Sequence, residues 1–341
     1  MDSGATSLGR GSRAETETAA TRTDYNSLYT LVLLSVMFYM PTIALSNSVA
    51  YNALEKAGLD TVTHFPPIRV WGTVGFICAM WVVDLGKMGL SATQLYFSAT
   101  LGLILGLYSF TLPNCPINRS GGGKSIVDLL GLRAFALFKQ RKMAIFFIFS
   151  MLLGMSLQIT NAFADGYIKS FGDTGIHGAK YLGTFGVEHS TILISLSQIS
   201  ETLCILLIPF FLKRFGIKRV MLIAMFAWVL RFALLGAGNP GPGVWMFILS
   251  MIVYGVAFDF FNISGSLFVE KETSAAIRSS AQGVFMIMTN GLGALIGSYL
   301  AGWVVNHYGW PLSWYLFAGF SLVVAIVFAV IFKYKHDPNR I

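Results

Sequence analysis

Residues 245–270, WMFILSMIVYGVAFDFFNISGSLFVE, constrain this chain more than any other stretch. The run is long enough to cross a bilayer as one helix, for which about 20 apolar residues suffice. Asp259 nevertheless sits near its middle, flanked by Tyr254, Phe258 and Asn262. A carboxylate at that depth costs roughly 2.5–3.5 kcal/mol on insertion scales, so it faces a polar cavity or a partner charge rather than lipid. Two readings follow: an interhelical ion pair, or a site for a substrate or a proton.

The rest of the chain has the same solvent. Of its 341 residues 55% are hydrophobic and 12% charged, where a soluble domain carries about 25% charged residues. The expected fold is an all-α polytopic membrane protein, and the 35 glycines suit close helix approach in a bundle. About nine apolar segments are expected. They lie at residues 28–50, 68–85, 91–113, 143–165, 187–212, 218–237, 244–268, 280–304 and 313–333. Before them, residues 1–27 form a polar leader, expected to be disordered, with Arg10, Arg13 and Arg22 but no apolar core of a secretory signal. Residues 114–142 pass through Gly121, Gly122 and Gly123 and end in LLGLRAFALFKQRK. They read as a cytoplasmic linker with an amphipathic interfacial helix. The expected division is therefore a partial N-terminal bundle of three helices at 28–113, the linker, and a six-helix bundle at 143–341.

Loop charge sets the orientation. Arg119, Lys124, Arg133, Lys139, Arg141 and Lys142 precede the fourth segment; Lys213, Arg214, Lys218 and Arg219 follow the fifth; Lys271 and Arg278 follow the seventh; Lys333, Lys335 and Arg340 close the chain. All fall on one side if every segment spans. The opposite loops are poor in Lys and Arg, although Lys87, Lys169 and Lys180 lie there. The rich side is cytoplasmic by the positive-inside rule, and with it the C-terminus. An odd number of crossings then puts the N-terminus outside. The chain reads as though three helices were absent from its front, which would complete a six-plus-six arrangement; a genuine nine-helix protein is the alternative.

Other functional classes find little support. The net charge of +8 reports topology rather than nucleic-acid binding. Cys78 and Cys204 lie in apolar segments and Cys115 in a loop, with no CxxC or Cys/His spacing. No metal site, disulfide framework or cofactor is expected. No nucleophile, base and acid stand together among the mid-membrane residues, so no enzyme is expected.

Residues three, four or seven apart share a helix face. Arg69, Thr73 and Phe76 fall on one face of the second segment, Gln158 and Asn161 on one of the fourth, and Gln198 and Glu201 on one of the fifth. Tyr254 and Phe258 share a face of the seventh, with Asp259 beside them. Taken singly, an amide here is as readily interhelical glue as a ligand contact, and ordinary packing is the alternative for an aromatic. His64 and His189 lie at segment ends and read as interfacial. Arg231, in the sixth segment, is a weaker candidate for the site and reads first as an interhelical or interfacial pair. Glu270 and Glu272, near Lys271 and Arg278, read as a solvated loop.

The loop FLKRFGIKR at 211–219 resembles the basic signature loop of the major facilitator superfamily, where such a loop joins helices eight and nine. More specific are DTVTHFPPIRVWGTVGF at 60–76, MAIFFIFSMLLGMSLQITN at 143–161, SQISETL at 197–203, SMIVYGVAFDFFNISGSLFVEKE at 250–272 and AIRSSAQGVFMIMTNG at 276–291. These runs resemble the bacterial nucleoside permeases, the nucleoside:proton symporter family of that superfamily. The resemblance covers about residues 28–336 and matches that family's helices four to twelve.

The resemblance implies a two-bundle major facilitator fold with an incomplete N-terminal bundle. It also implies proton-coupled uptake of a nucleoside such as uridine across the bacterial inner membrane. It marks Arg69, Thr73, Phe76, Gln158, Asn161, Gln198, Glu201, Tyr254, Phe258 and Asp259 as the nucleoside-contacting set. The chemistry suits: amides and carboxylates pair with ribose hydroxyls, and aromatic rings stack on a base. Asp259 or Glu201 is expected to take the proton, with Arg69 facing them. The expected partners are thus a nucleoside, protons and the lipid bilayer. A carrier of the same fold for a sugar or a modified nucleoside, and a fragment that does not transport, are the alternatives.

Overall fold

The computed structural model describes residues 26–39, 61–88, 91–112, 132–174, 180–274 and 277–334, with single positions between 42 and 59. The leader up to residue 25 and residues 113–131, which take in most of the linker expected at 114–142, lie outside the described residues. Every regular element described is helical, as a chain in lipid requires, because each backbone N–H and C=O must find its partner within its own segment.

The elements in order are α1 (Asn26–Tyr39), α2 (Thr61–Leu85), α3 (Thr93–Ser109), a 3-10 turn at Leu132–Lys139 and α4 (Arg141–Ser170). Then come α5 (Ser190–Ala237) and α6 (Val244–Glu272). They are followed by α7 (Arg278–Met286), a π-helical turn at Ile287–Gly293, α8 (Ala294–Tyr308) and α9 (Trp310–Ile331). Two compact units are formed, one of Met1–Arg69 with Leu101–Ile117, the other of Val70–Thr100 with Asn118–Ile341. In the first, the residues of α1 are exposed throughout, the pattern of an apolar helix whose neighbour is lipid. The second holds the site.

Within the second unit, α5 is assigned 48 residues but is not straight. Gly216 takes φ 75° and ψ 165° inside it, a left-handed conformation that a Cβ would strain. A straight helix would carry residues 197 and 231 about 50 Å apart, at 1.5 Å per residue. Instead both reach the same side chain on α6: Ser197 Oγ donates to Met251 Sδ at 3.1 Å, and the Arg231 guanidinium lies 3.8 Å from that sulfur. The chain folds back at Gly216. The two arms of α5 are the expected segments 187–212 and 218–237, and the nine-residue basic loop between them contracts to this one residue. Lys213 and Arg214 close the first arm; Lys218 and Arg219 open the second.

With α5 counted as two arms, the described residues after the linker form six membrane-length rods: α4, the two arms, α6, α7 through α8, and α9. Small side chains let them meet closely. A Cβ on Gly255 of α6 would come within 2.6 Å of the Ser200 backbone on α5, and Ser200 Oγ donates to the Ile252 carbonyl across the same seam. Close approach of this kind substitutes for a hydrophobic driving force that lipid does not supply.

Aromatic clusters fill the two ends. At one, Phe146 touches Phe147, Phe261, Phe268 and Phe285. At the other, Tyr167 meets Phe171, Phe247, Trp310 and Trp314. The first end is also the basic one. Lys142 pairs with Glu272 at 2.6 Å and lies 4.7 Å from the Tyr334 ring centre. Lys218 donates to the Ala329 carbonyl at 2.9 Å, near the C-terminal end of α9, where a cation also complements the helix dipole. The start of α4, the turn of α5 and the ends of α6 and α9 therefore share one end of the bundle. Glu272, read from the sequence as solvated, is half-buried in that ion pair.

Candidate functional site

The site is built around Tyr254 on α6. A tyrosine in a membrane helix has an apolar ring and a hydroxyl that needs a partner. Its ring is 5% exposed and stacks on Phe258, one turn further, with centroids 5.6 Å apart and planes 14° apart. The i, i+4 spacing places both rings on one face. Trp228, on the second arm of α5, meets Tyr254 edge-on at 6.0 Å. The Tyr254 side chain is hydrogen-bonded to that of Asn161 on α4.

Charge surrounds this tyrosine. Asp259 is 4% exposed, and it and the half-buried Glu201 lie within electrostatic reach of the Tyr254 hydroxyl. Asp259 is also close to Cys204, one turn beyond Ser200 on α5. The guanidinium of Arg231 sits 4.6 Å from the centre of the Tyr254 ring. Buried charges are retained in such a setting only where others compensate them. Asn262, by contrast, spends its amide on the carbonyl of Phe258 at 3.1 Å, within its own helix.

Of the ten expected site residues, the structure draws Asn161, Glu201, Tyr254, Phe258 and Asp259 into one group. Gln158 and Gln198, each three residues before a member of it, are half-buried on α4 and α5. On α2, Thr73 is half-buried and Phe76 is 54% exposed. The Arg69 side chain lies outside the described residues. No described contact ties these five to Tyr254. Two residues left off the expected set do join it: Arg231, which is 1% exposed, and Trp228. The interhelical placement expected for Arg231 is the one found, and the interfacial one is not. A charge in the middle of an apolar segment was the available signal; nothing in the sequence marked Trp228 apart from other tryptophans.

A narrow crevice lined by Leu153, Gly154, Trp228, Phe258, Asn262 and Thr289, among others, opens beside the stack and has room for about one water. The π-helical turn at Ile287–Gly293 borders it through Thr289.

A bundle of apolar helices with a buried and a half-buried carboxylate, amides and a stacked aromatic pair at mid-helix has the make-up of a polytopic membrane carrier. The model of the nucleoside H+ symporter family matches residues 15–337, and the chain belongs to that family. It is 52% identical over 325 residues to the nucleoside permease NupG of Escherichia coli, covering 93% of this chain and 77% of that one. It is 50% identical over 330 residues to the xanthosine permease of the same organism, covering 95% and 78%. A crystal structure of a mutant nucleoside transporter NupG superposes with a TM-score of 0.81 at 54% identity, covering 86% of this chain and 74% of that one. A second NupG crystal structure gives 0.76 at 55% identity. The fold is that of a major facilitator-type multi-pass membrane transporter.

Proposed function

We propose that this chain carries nucleosides with protons across the bacterial inner membrane by alternating access, with uridine as the first substrate. The observation that carries the reading is the stack of Tyr254 on Phe258, with buried Asp259 next in sequence, inside a membrane-length helix. An aromatic face receives the base; the amides and acids beside it receive the ribose hydroxyls. In this reading Gln158, Asn161, Gln198 and Glu201 bind from α4 and α5, and Arg69, Thr73 and Phe76 from α2. The likeness to a xanthosine permease favours a second substrate, a purine nucleoside with an oxidised base.

The proton rides on Asp259 or Glu201. With both acids ionised, Asp259, Glu201 and Arg231 together carry one net negative charge around Tyr254. One proton makes that group neutral, and a neutral group crosses a low-dielectric passage at less cost. Arg69 then couples the two halves. The basic end of the bundle, where α9 ends, faces the cytoplasm in this reading.

The test is uptake by the purified 341-residue chain in lipid vesicles. Saturable uridine uptake that an inward proton gradient drives and a protonophore abolishes supports the reading, and competition with xanthosine and with a sugar ranks the solutes. Absence of saturable uptake removes it, and displacement by the sugar alone reassigns the substrate class.

A further inference from the structure

Arg231 is the largest buried charged side chain among the described residues, and it lies in a segment where arginine ordinarily reaches back to the interface. It turns inward instead, and among the described residues its hydrogen-bond and cation–π partners belong to one turn of α6. Its Nη1 donates to the Ser250 carbonyl at 2.6 Å; both terminal nitrogens lie 3.8 Å from Met251 Sδ; and the guanidinium lies 4.6 Å from the centre of the Tyr254 ring. Ser250 Oγ answers by donating to the Arg231 carbonyl at 3.2 Å. The Nε of Arg231 is buried without a hydrogen-bond partner. A guanidinium placed only as interhelical glue would use its donor fork on a carboxylate or on several carbonyls. Here one donor is left unused and the cation lies against an aromatic ring.

That ring is held from three sides. Arg231 supplies the cation, Trp228 one turn earlier supplies an edge contact, and Asn161 on α4 holds the side chain through a hydrogen bond. A ring fixed before its ligand arrives loses no further freedom on binding. We infer that Arg231 is a positioning residue for substrate: its guanidinium fixes the Tyr254 ring, and with it the stack on Phe258, in the orientation that receives the base. The inference rests on the proposed function and deepens it. Arg231 touches no substrate and acts through Tyr254. The other ionisable groups described around that ring are Glu201 on α5 and Asp259 on α6, and neither is required to change protonation for this role.

The test is a double-mutant cycle in vesicles that take up uridine. R231Q raises KM about tenfold, the scale of a desolvated cation–π contact, and leaves kcat within about twofold. R231K, which keeps the charge and loses the flat fork, gives a smaller rise. In a Y254L background, R231Q changes KM by less than about twofold, because the ring it positions is gone. Thermal melting is measured in parallel; if R231Q does not fold, R231K alone and in the Y254L background carries the test. An unchanged KM in both Arg231 variants, or the same rise on top of Y254L, overturns the inference while leaving nucleoside uptake standing. Vesicles of the wild-type chain that take up no nucleoside overturn the proposed function itself, and this inference with it.

Discussion

Asp84 Oδ2 lies 2.6 Å from His189 Nδ1, joining the end of α2 to the head of α5. Nearby, the Trp81 indole donates to Ser195 Oγ at 2.8 Å. On the other flank, Ser190 donates to Asp165 at 2.6 Å, and Asp165 is itself paired with Lys169 at 2.7 Å. The head of α5 is thus gripped from α2 and from α4. It stands at the end of the bundle away from Lys142 and Lys218, the end whose loops carry few basic residues. Contacts joining α2 to α5 must part for that end to open during alternating access.

Asp84→Ala or His189→Ala therefore loosens this end. The His189 side chain is 29% exposed but that of Asp84 only 5%, so His189→Ala, which leaves a buried carboxylate without this partner, has the larger effect of the two. A cysteine replacing Ile192, in a background with Cys78, Cys115 and Cys204 changed to Ser, is expected to react with a soluble maleimide about two to five times faster in either variant. Unchanged labelling in both shows that the pair does not hold these helices together.

Gly255 marks a close seam between α5 and α6. A methyl group there meets the Ser200 backbone at 2.6 Å, and backbone does not step aside as a flexible side chain does. Gly255→Ala is expected to destabilise by about 1–3 kcal/mol, read as an earlier thermal transition in detergent. A wild-type melting temperature would mean that the seam is looser than described.

The ion pair of Lys142 with Glu272 looks stronger than it is. Its side chains are 39% and 27% exposed, and an exposed pair contributes at most about 1 kcal/mol. Lys142→Met keeps the apolar stem against Phe268 and Tyr334, so its melting temperature is expected within a degree or two of wild type, and uptake unchanged. A large loss of stability would instead assign a major share to the cation over the two rings.

The spans were legible because hydropathy is a local property: a rod that crosses lipid must be apolar along its whole length. The six rods after the linker follow the expected segments to within a few residues for that reason. Spacing also marked the faces of Gln158 with Asn161, Glu201 with Gln198, and Tyr254 with Phe258. What the sequence left open depends on neighbours. Whether Arg231 reaches for the interface or turns inward is decided by Ser250 and Tyr254, on another helix. Asp84 and His189 are 105 residues apart, and no local pattern links them. The contraction of the loop at 211–219 to Gly216 is a single backbone conformation, and the π-helical turn at Ile287–Gly293 has no sequence signature comparable to a cap or a heptad. Residues 113–131 and the side chain of Arg69 lie outside the described residues, so most of the linker and the expected α2 cation remain sequence-based proposals.

Asp259 gives the sharpest test of coupling. Asparagine keeps its size and can still accept a hydrogen bond from a ribose hydroxyl, but it takes up no proton at physiological pH. If Asp259 carries the proton, Asp259→Asn still binds nucleoside and exchanges labelled for unlabelled uridine across the vesicle membrane. It does not accumulate uridine against a gradient. In the wild type, lowering the external pH raises the inward proton gradient and with it accumulation; in the variant that dependence is flat. The parallel change Glu201→Gln separates the two acids. Should the glutamine variant lose accumulation while the asparagine variant keeps a normal pH dependence, the proton belongs to Glu201, and Asp259 is left as a ligand for the ribose or a counter-charge to Arg231. Loss of exchange as well as accumulation in Asp259→Asn would place the carboxylate in substrate binding, because a group needed only for the proton is not needed for exchange at equal pH on both sides.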